Sequence, residues 1–115
     1  MKTHKDLEIW QKSIDLIKDM YDMTANFPNE EMFGLTSQIR RAAISIPSNI
    51  AEGAARQSRK ENIRFLYVAL GSLSELETQL IIADKLNYPV KQDNFDDIET
   101  LRRKMLNFIK YQKSK

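Results

Sequence analysis

Residues able to do chemistry are few, and their spacing excludes most of it. The 115-residue chain holds one histidine, His4, and no cysteine. Thiolate metal sites, iron–sulfur clusters, disulfides and cysteine nucleophiles are therefore out of reach. A di-metal carboxylate site in a helical bundle needs two Glu-x-x-His pairs, and nothing acidic precedes His4 by three residues. A Ser-His-Asp triad would hang on a histidine beside a chain terminus, where backbones fray. Three glycines are present, none in a G-x-x-x-x-G-K frame, so no phosphate-cradling loop forms. Glu75 and Glu77 fall on different faces of a helix and cannot work as a pair. No cofactor, metal or enzymatic activity is expected.

The remaining chemistry is ionic. Between Arg40 and Arg64 stand Arg40, Arg41, Arg56, Arg59, Lys60 and Arg64, opposed only by Glu52 and Glu61. From Arg102 to Lys115 the chain carries no acid at all. Arginine is the better fork for phosphate, so these six residues are the candidate nucleic-acid contacts. The net charge of +2 and a pI near 8.9 fall short of a strongly basic domain. Basic residues at helix C-termini also answer the helix dipole. Two readings stay open: a surface for RNA or DNA, and a protein-binding scaffold whose charges keep it solvated.

The elements that position these groups are helices. With three Gly and three Pro, the chain lacks the turn residues that a β-sandwich demands. Thr3 and Asp6 open a first helix that ends near Ala25, before Asn26-Phe27-Pro28-Asn29. A second begins near Asn29 or Glu30, pauses at Gly34 and runs to about Ala55. Ser58-Arg59-Lys60-Glu61 is a capping box that opens a third, ending where Tyr88-Pro89 stops it. A fourth runs from Asp93 or Asn94 to about Lys113. Short connections favour antiparallel neighbours, so residues 1–115 read as one all-α domain, an up-down-up-down four-helix bundle. No secretory leader or membrane-length apolar run is visible, which places the expected protein in the cytoplasm with no membrane contact.

Helix 1 carries two apolar stripes. Leu7, Trp10, Ile14, Ile17 and Tyr21 form one; Ile9, Ser13, Leu16, Met20, Met23 and Phe27 form another about 110° away. A single stripe suffices for a bundle core. The second, with Ile9, Leu16, Met20 and Met23 as its large residues, is the expected contact with another protomer, together with its counterpart on helix 3 (Phe65, Val68, Ile82 and Leu86), unless both simply widen the core. On helix 3, Leu66, Ala69, Leu73, Leu76, Leu80 and Ala83 make a continuous seam. On helix 2, Pro47 removes a hydrogen bond and predicts a kink, while Leu35, Ile39, Ala43, Ile46, Ile50 and Ala54 keep helical phase across it. Gln38, Arg41, Ser45, Asn49, Glu52 and Arg56 form a polar stripe beside them, readable as a solvated face or as a partner-facing network.

One motif is specific. Phe27-Pro28-x-x-Glu31-x-x-Gly34-Leu35-x-x-Gln38-x-Arg40-Arg41-Ala42, followed by Ser45-Ile46-Pro47-Ser48-Asn49-Ile50-Ala51-Glu52-Gly53, resembles the bacterial four-helix bundle family first described from intervening sequences of 23S ribosomal RNA genes. It is similar also to the accessory variability determinant of diversity-generating retroelements. The likeness begins at Leu7-x-x-Trp10-Gln11-Lys12 and extends to about Leu86. It implies a non-enzymatic up-down bundle assembled as a homo-oligomeric, pentameric ring. It further implies nucleic acid and a reverse transcriptase or ribosome-associated protein as partners. Arg40, Arg41, Asn49, Glu52 and Arg56 are the motif positions carried over, without individual roles.

Overall fold

The computed structural model describes residues 3–115. Four helices form in chain order, α1 (Glu8–Thr24), α2 (Leu35–Ala54), α3 (Arg59–Lys85) and α4 (Gln92–Ser114), with no strand among the described residues. They make a rod of 46 × 22 × 21 Å. The α2–α3 contact is the most extensive and the α1–α4 contact the least.

Local hydrogen bonding explains each boundary. The Thr3–Asp6 pair does close, since the Thr3 backbone N–H donates to Asp6 Oδ2 at 2.9 Å. However, it caps only a 3-10 turn over His4–Asp6, and α1 proper starts after the extended Leu7. The pause at Gly34 is a true break: a 3-10 turn over Asn29–Glu31 precedes it, and Gly34 lies outside helical geometry at φ −112°, ψ −114°. Glu31 then serves α2 from outside, accepting from the Leu35 N–H at 3.2 Å and from the Tyr88 hydroxyl at 2.8 Å. Ser58 accepts from the Glu61 N–H at 3.3 Å. The Glu61 carboxylate turns forward to Arg64 instead of back to the cap, so half of the expected box forms.

α3 ends by a device the proline signal does not reveal. Asn87 takes φ +65°, its N–H donates to Asp84 O, and the Tyr88 N–H donates to Ala83 O, each at 3.0 Å. This is a Schellman cap, with asparagine in the left-handed position usually held by glycine. Pro47 lies inside α2, which stays helical through it.

The core draws on all four helices. The α3 seam of Leu66, Ala69, Leu73, Leu76, Leu80 and Ala83 is buried to 1% exposure or less. Ile39, Ala43, Ile46 and Ile50 of α2 face it, with Ile98, Leu101, Met105 and Ile109 of α4. Helix α3 is long and apolar enough by composition to cross a membrane. Its apolar residues are interleaved with polar ones, and in the bundle its seam is core.

The two stripes of α1 are assigned the other way round. Ile9, Leu16, Met20 and Met23, expected at a protomer contact, are 0–8% exposed and belong to the protomer's own core. Ser13 tolerates burial beside them because its hydroxyl donates to Trp10 O at 2.7 Å. The outer stripe is the other one: Ile14 and Tyr21 are about 40% exposed, and Trp10 and Ile17 are half-buried. Either stripe has the apolar content to face inward. The polar member of the inner stripe is accommodated because Ser13 bonds to its own helix, while Tyr21 stays about 40% exposed on the outer one.

Candidate nucleic-acid interface

The antiparallel order brings the end of α2, the start of α3 and the end of α4 to one end of the rod. Gly53 lets α2 approach α3 closely there, and the Asn62 amide donates to the Gly53 carbonyl at 3.0 Å. Around this joint lies a cleft of about 540 Å3 lined by Arg56, Ser58, Arg59, Asn62, Gln112 and Lys115, among others. The first turn of α3 leaves backbone N–H groups without helical acceptors, and the helix dipole adds partial positive charge. Arg56, Arg59, Lys60 and Arg64 are all exposed. Phe65 organises two of them, with the Arg56 and Arg64 guanidinium groups 5.0 and 4.9 Å from its ring centre. Each of these arginines also meets a carboxylate at 2.9 Å, Glu52 and Glu61 respectively. Both pairs are exposed, so they are weak and yield readily to a competing anion. Lys113 reaches the Tyr67 hydroxyl at 2.8 Å, adding a cation beside the same end.

The six candidate residues therefore do not form one cluster. Arg56, Arg59, Lys60 and Arg64 share an end of the bundle. Arg40 and Arg41 stand about 22 Å away along α2, at 1.5 Å per residue. Arg40 is half-buried and structural: its Nε donates to Thr24 Oγ1 at 2.9 Å, and its guanidinium covers the Tyr21 ring at 4.3 Å. Arg41 is exposed and borders a different cleft, between α2 and α3. The acid-free tail is also divided. Arg102 is engaged by Glu77 at 2.7 Å and by Glu99; hydrogen bonding to Glu77 drives its pKa further up. Lys104 pairs with Glu8 at 3.0 Å. Lys115, at the chain's end, instead joins the basic cleft, a convergence that no sequence spacing signals.

The polar stripe of α2 is mostly internal at its middle. Ser45 and Ser72 hydroxyls lie 2.8 Å apart, and Asn49 donates to the Ser45 carbonyl at 2.8 Å. Its ends, Gln38, Arg41, Glu52 and Arg56, are exposed. At the opposite end of the rod, Asp19, Asp22, Asp93 and Asp97 line an acidic cleft. Burial, then Asp97 and Asp22, push the Asp19 carboxyl above the usual 3.8. No group of three His, Cys, Asp or Glu side chains suited to a metal ion occurs among the described residues.

The described residues form an all-α four-helix bundle that presents charged clefts at its ends and between α2 and α3. Residues 5–110 match the 23S rRNA-intervening sequence protein family, and the chain belongs to that family. It is similar to a crystal structure of a protein of unknown function from the S23 ribosomal protein family of Bacteroides thetaiotaomicron. The two share 25% identity and a TM-score of 0.79, over 89% of this chain and 95% of that one. No curated protein matches.

Proposed function

We propose that the protein is a homo-oligomer that holds RNA or DNA without sequence specificity at its basic end. The observation carrying this reading is the cleft where Arg56, Arg59 and Lys115 meet the N-terminus of α3. One protomer offers a handful of phosphate contacts, too few for useful affinity at physiological salt. A ring repeats the cleft and links weak contacts by effective concentration. The family resemblance supports a pentamer, and the outer α1 stripe of Trp10, Ile14, Ile17 and Tyr21 supplies apolar surface for it. The same resemblance makes a reverse transcriptase or a ribosome-associated protein the partner to test beside nucleic acid, in the cytoplasm.

The test is a titration with single-stranded and duplex RNA and DNA at two salt concentrations. Log affinity should fall against log salt with a slope of about −0.7 to −0.9 per phosphate neutralised. Replacing Arg56, Arg59 and Arg64 together by Gln should weaken binding and flatten that slope, with sedimentation unchanged. Absence of binding at low salt, or binding indifferent to the triple change, moves the reading to a protein-binding scaffold. Sedimentation of Ile14→Asp with Tyr21→Asp tests the assembly face; an unchanged oligomer refutes it.

A further inference from the structure

The second cleft, between α2 and α3, has a composition the basic end lacks. It measures about 430 Å3, and Phe33, Arg41, Glu75 and Gln79 are among its lining residues. Phe33 is 97% exposed, a whole aromatic ring left in water at the rim. Gln79 is 6% exposed, and its Oε1 is buried without a hydrogen-bond partner. Arg41 and Glu75 are exposed and make no ion pair among the described residues. A bare ring, an unsatisfied amide oxygen, a free cation and a free anion thus border one cavity.

We propose that this cleft takes one unpaired base of a single-stranded nucleic acid, guanine fitting best; the proposal rests on the nucleic-acid reading above and adds a second, chemically different contact. Phe33 stacks on the face of the base, as aromatic side chains do in single-strand binding. The Watson–Crick edge of guanine carries the N1–H and N2–H donors that the Glu75 carboxylate accepts. The Gln79 amide turns readily about its terminal torsion, which brings Oε1 to the second N2–H, on the adjoining sugar edge. Arg41 offers its fork to the O6 and N7 acceptors. Adenine presents an acceptor, N1, where the carboxylate needs a donor, and uracil has a single N–H. A base in a duplex hides the edge and the face together. The charged and amide-rich lining disfavours a second protein chain here, since interface cores are depleted in charge.

The experiment uses the full-length chain with fluorescein-labelled U12, U12 carrying two separated guanines, A12 and a 12-base-pair RNA duplex. Anisotropy is read at two salt concentrations, with sedimentation of every variant. The guanine-bearing strand should bind most tightly. Phe33→Ala should weaken single-strand binding roughly 5- to 100-fold while leaving the salt slope and the duplex affinity unchanged, and Phe33→Trp should retain it. Glu75→Gln should erase the guanine preference. GMP at millimolar concentration should shift the Gln79 side-chain amide resonance in the wild type and not in Phe33→Ala. A silent Phe33→Ala overturns the base site alone, provided the Arg56, Arg59 and Arg64 triple change still weakens binding. A change of oligomeric state in Phe33→Ala also overturns it and assigns the ring to a protomer contact. No binding to any probe overturns both proposals.

Discussion

Gly53 and Gly71 both sit inside helices, and replacing each by alanine should move stability in opposite directions. In a helix interior, glycine costs about 0.8–1 kcal/mol relative to alanine, chiefly through backbone entropy. At Gly71 an added Cβ meets nothing within 4 Å, so Gly71→Ala should realise that gain. At Gly53 the Cβ would stand 2.8 Å from Phe65 Cβ and 3.1 Å from the Asn62 carbonyl oxygen. Ordinary carbon contacts need about 3.5–4.0 Å. The obstructing atoms are backbone and Cβ, which cannot swing aside as a side-chain tip can. The helices must part, stretching the 3.0 Å bond from Asn62 to the Gly53 carbonyl. Overpacking of this kind costs about 1–3 kcal/mol, and the strained hydrogen bond about 1 kcal/mol more. Set against the propensity gain, Gly53→Ala should lose about 1–3 kcal/mol. The two variants then differ by about 2–4 kcal/mol, or about 8–16 °C in melting temperature for a domain of this size. Equilibrium urea unfolding by circular dichroism, at one fixed protein concentration, gives both values with m unchanged. A Gly53→Ala protein as stable as the wild type would show that the α2–α3 approach is not held by the missing side chain.

Two further perturbations follow from the ionic contacts. The Asp19 carboxyl titrates above 3.8 in the folded state, so the folded protein holds this proton more tightly than the unfolded chain does. Its contribution to stability is complete below 3.8 and is lost as pH rises through the raised value. Asp19→Asn should therefore match the wild type in acid and exceed it at neutral pH; a pH series of urea midpoints that never diverges would refute this. For Arg102 and Glu77, 20% and 32% exposed, a double-mutant cycle with Arg102→Met and Glu77→Gln should return a coupling of about 1 kcal/mol. A value near zero would mean that Glu99 alone holds the arginine.

Much of the fold was legible because it is written in local terms. Ser58 caps by bonding three residues ahead, Pro28 and Gly34 break helical phase where they stand, and the α3 seam repeats at 3-4 spacing. The Asn87 cap has no local signal, because its positive φ is held by the Tyr88 N–H reaching back to the Ala83 carbonyl. The basic site was half legible: the density of Arg56, Arg59, Lys60 and Arg64 and the acid-free tail both stand out in the sequence, whereas the meeting of Lys115 with Arg56 and Arg59 at one cleft does not. Phe33 was passed over because a single aromatic in a turn has no pattern.

The sequence by itself determined four helices, their approximate ends and the family. These depend on interactions a few residues long, or on residue types that are simply missing. Only the tertiary structure decided which stripe of α1 faces inward, which arginines stay free and where the clefts lie. The contacts that settle those questions join Arg102 to Glu77 across 25 residues, Tyr88 to Glu31 across 57 and Lys104 to Glu8 across 96. A charge run looks uniform along the chain because the carboxylates that neutralise part of it arrive from other helices.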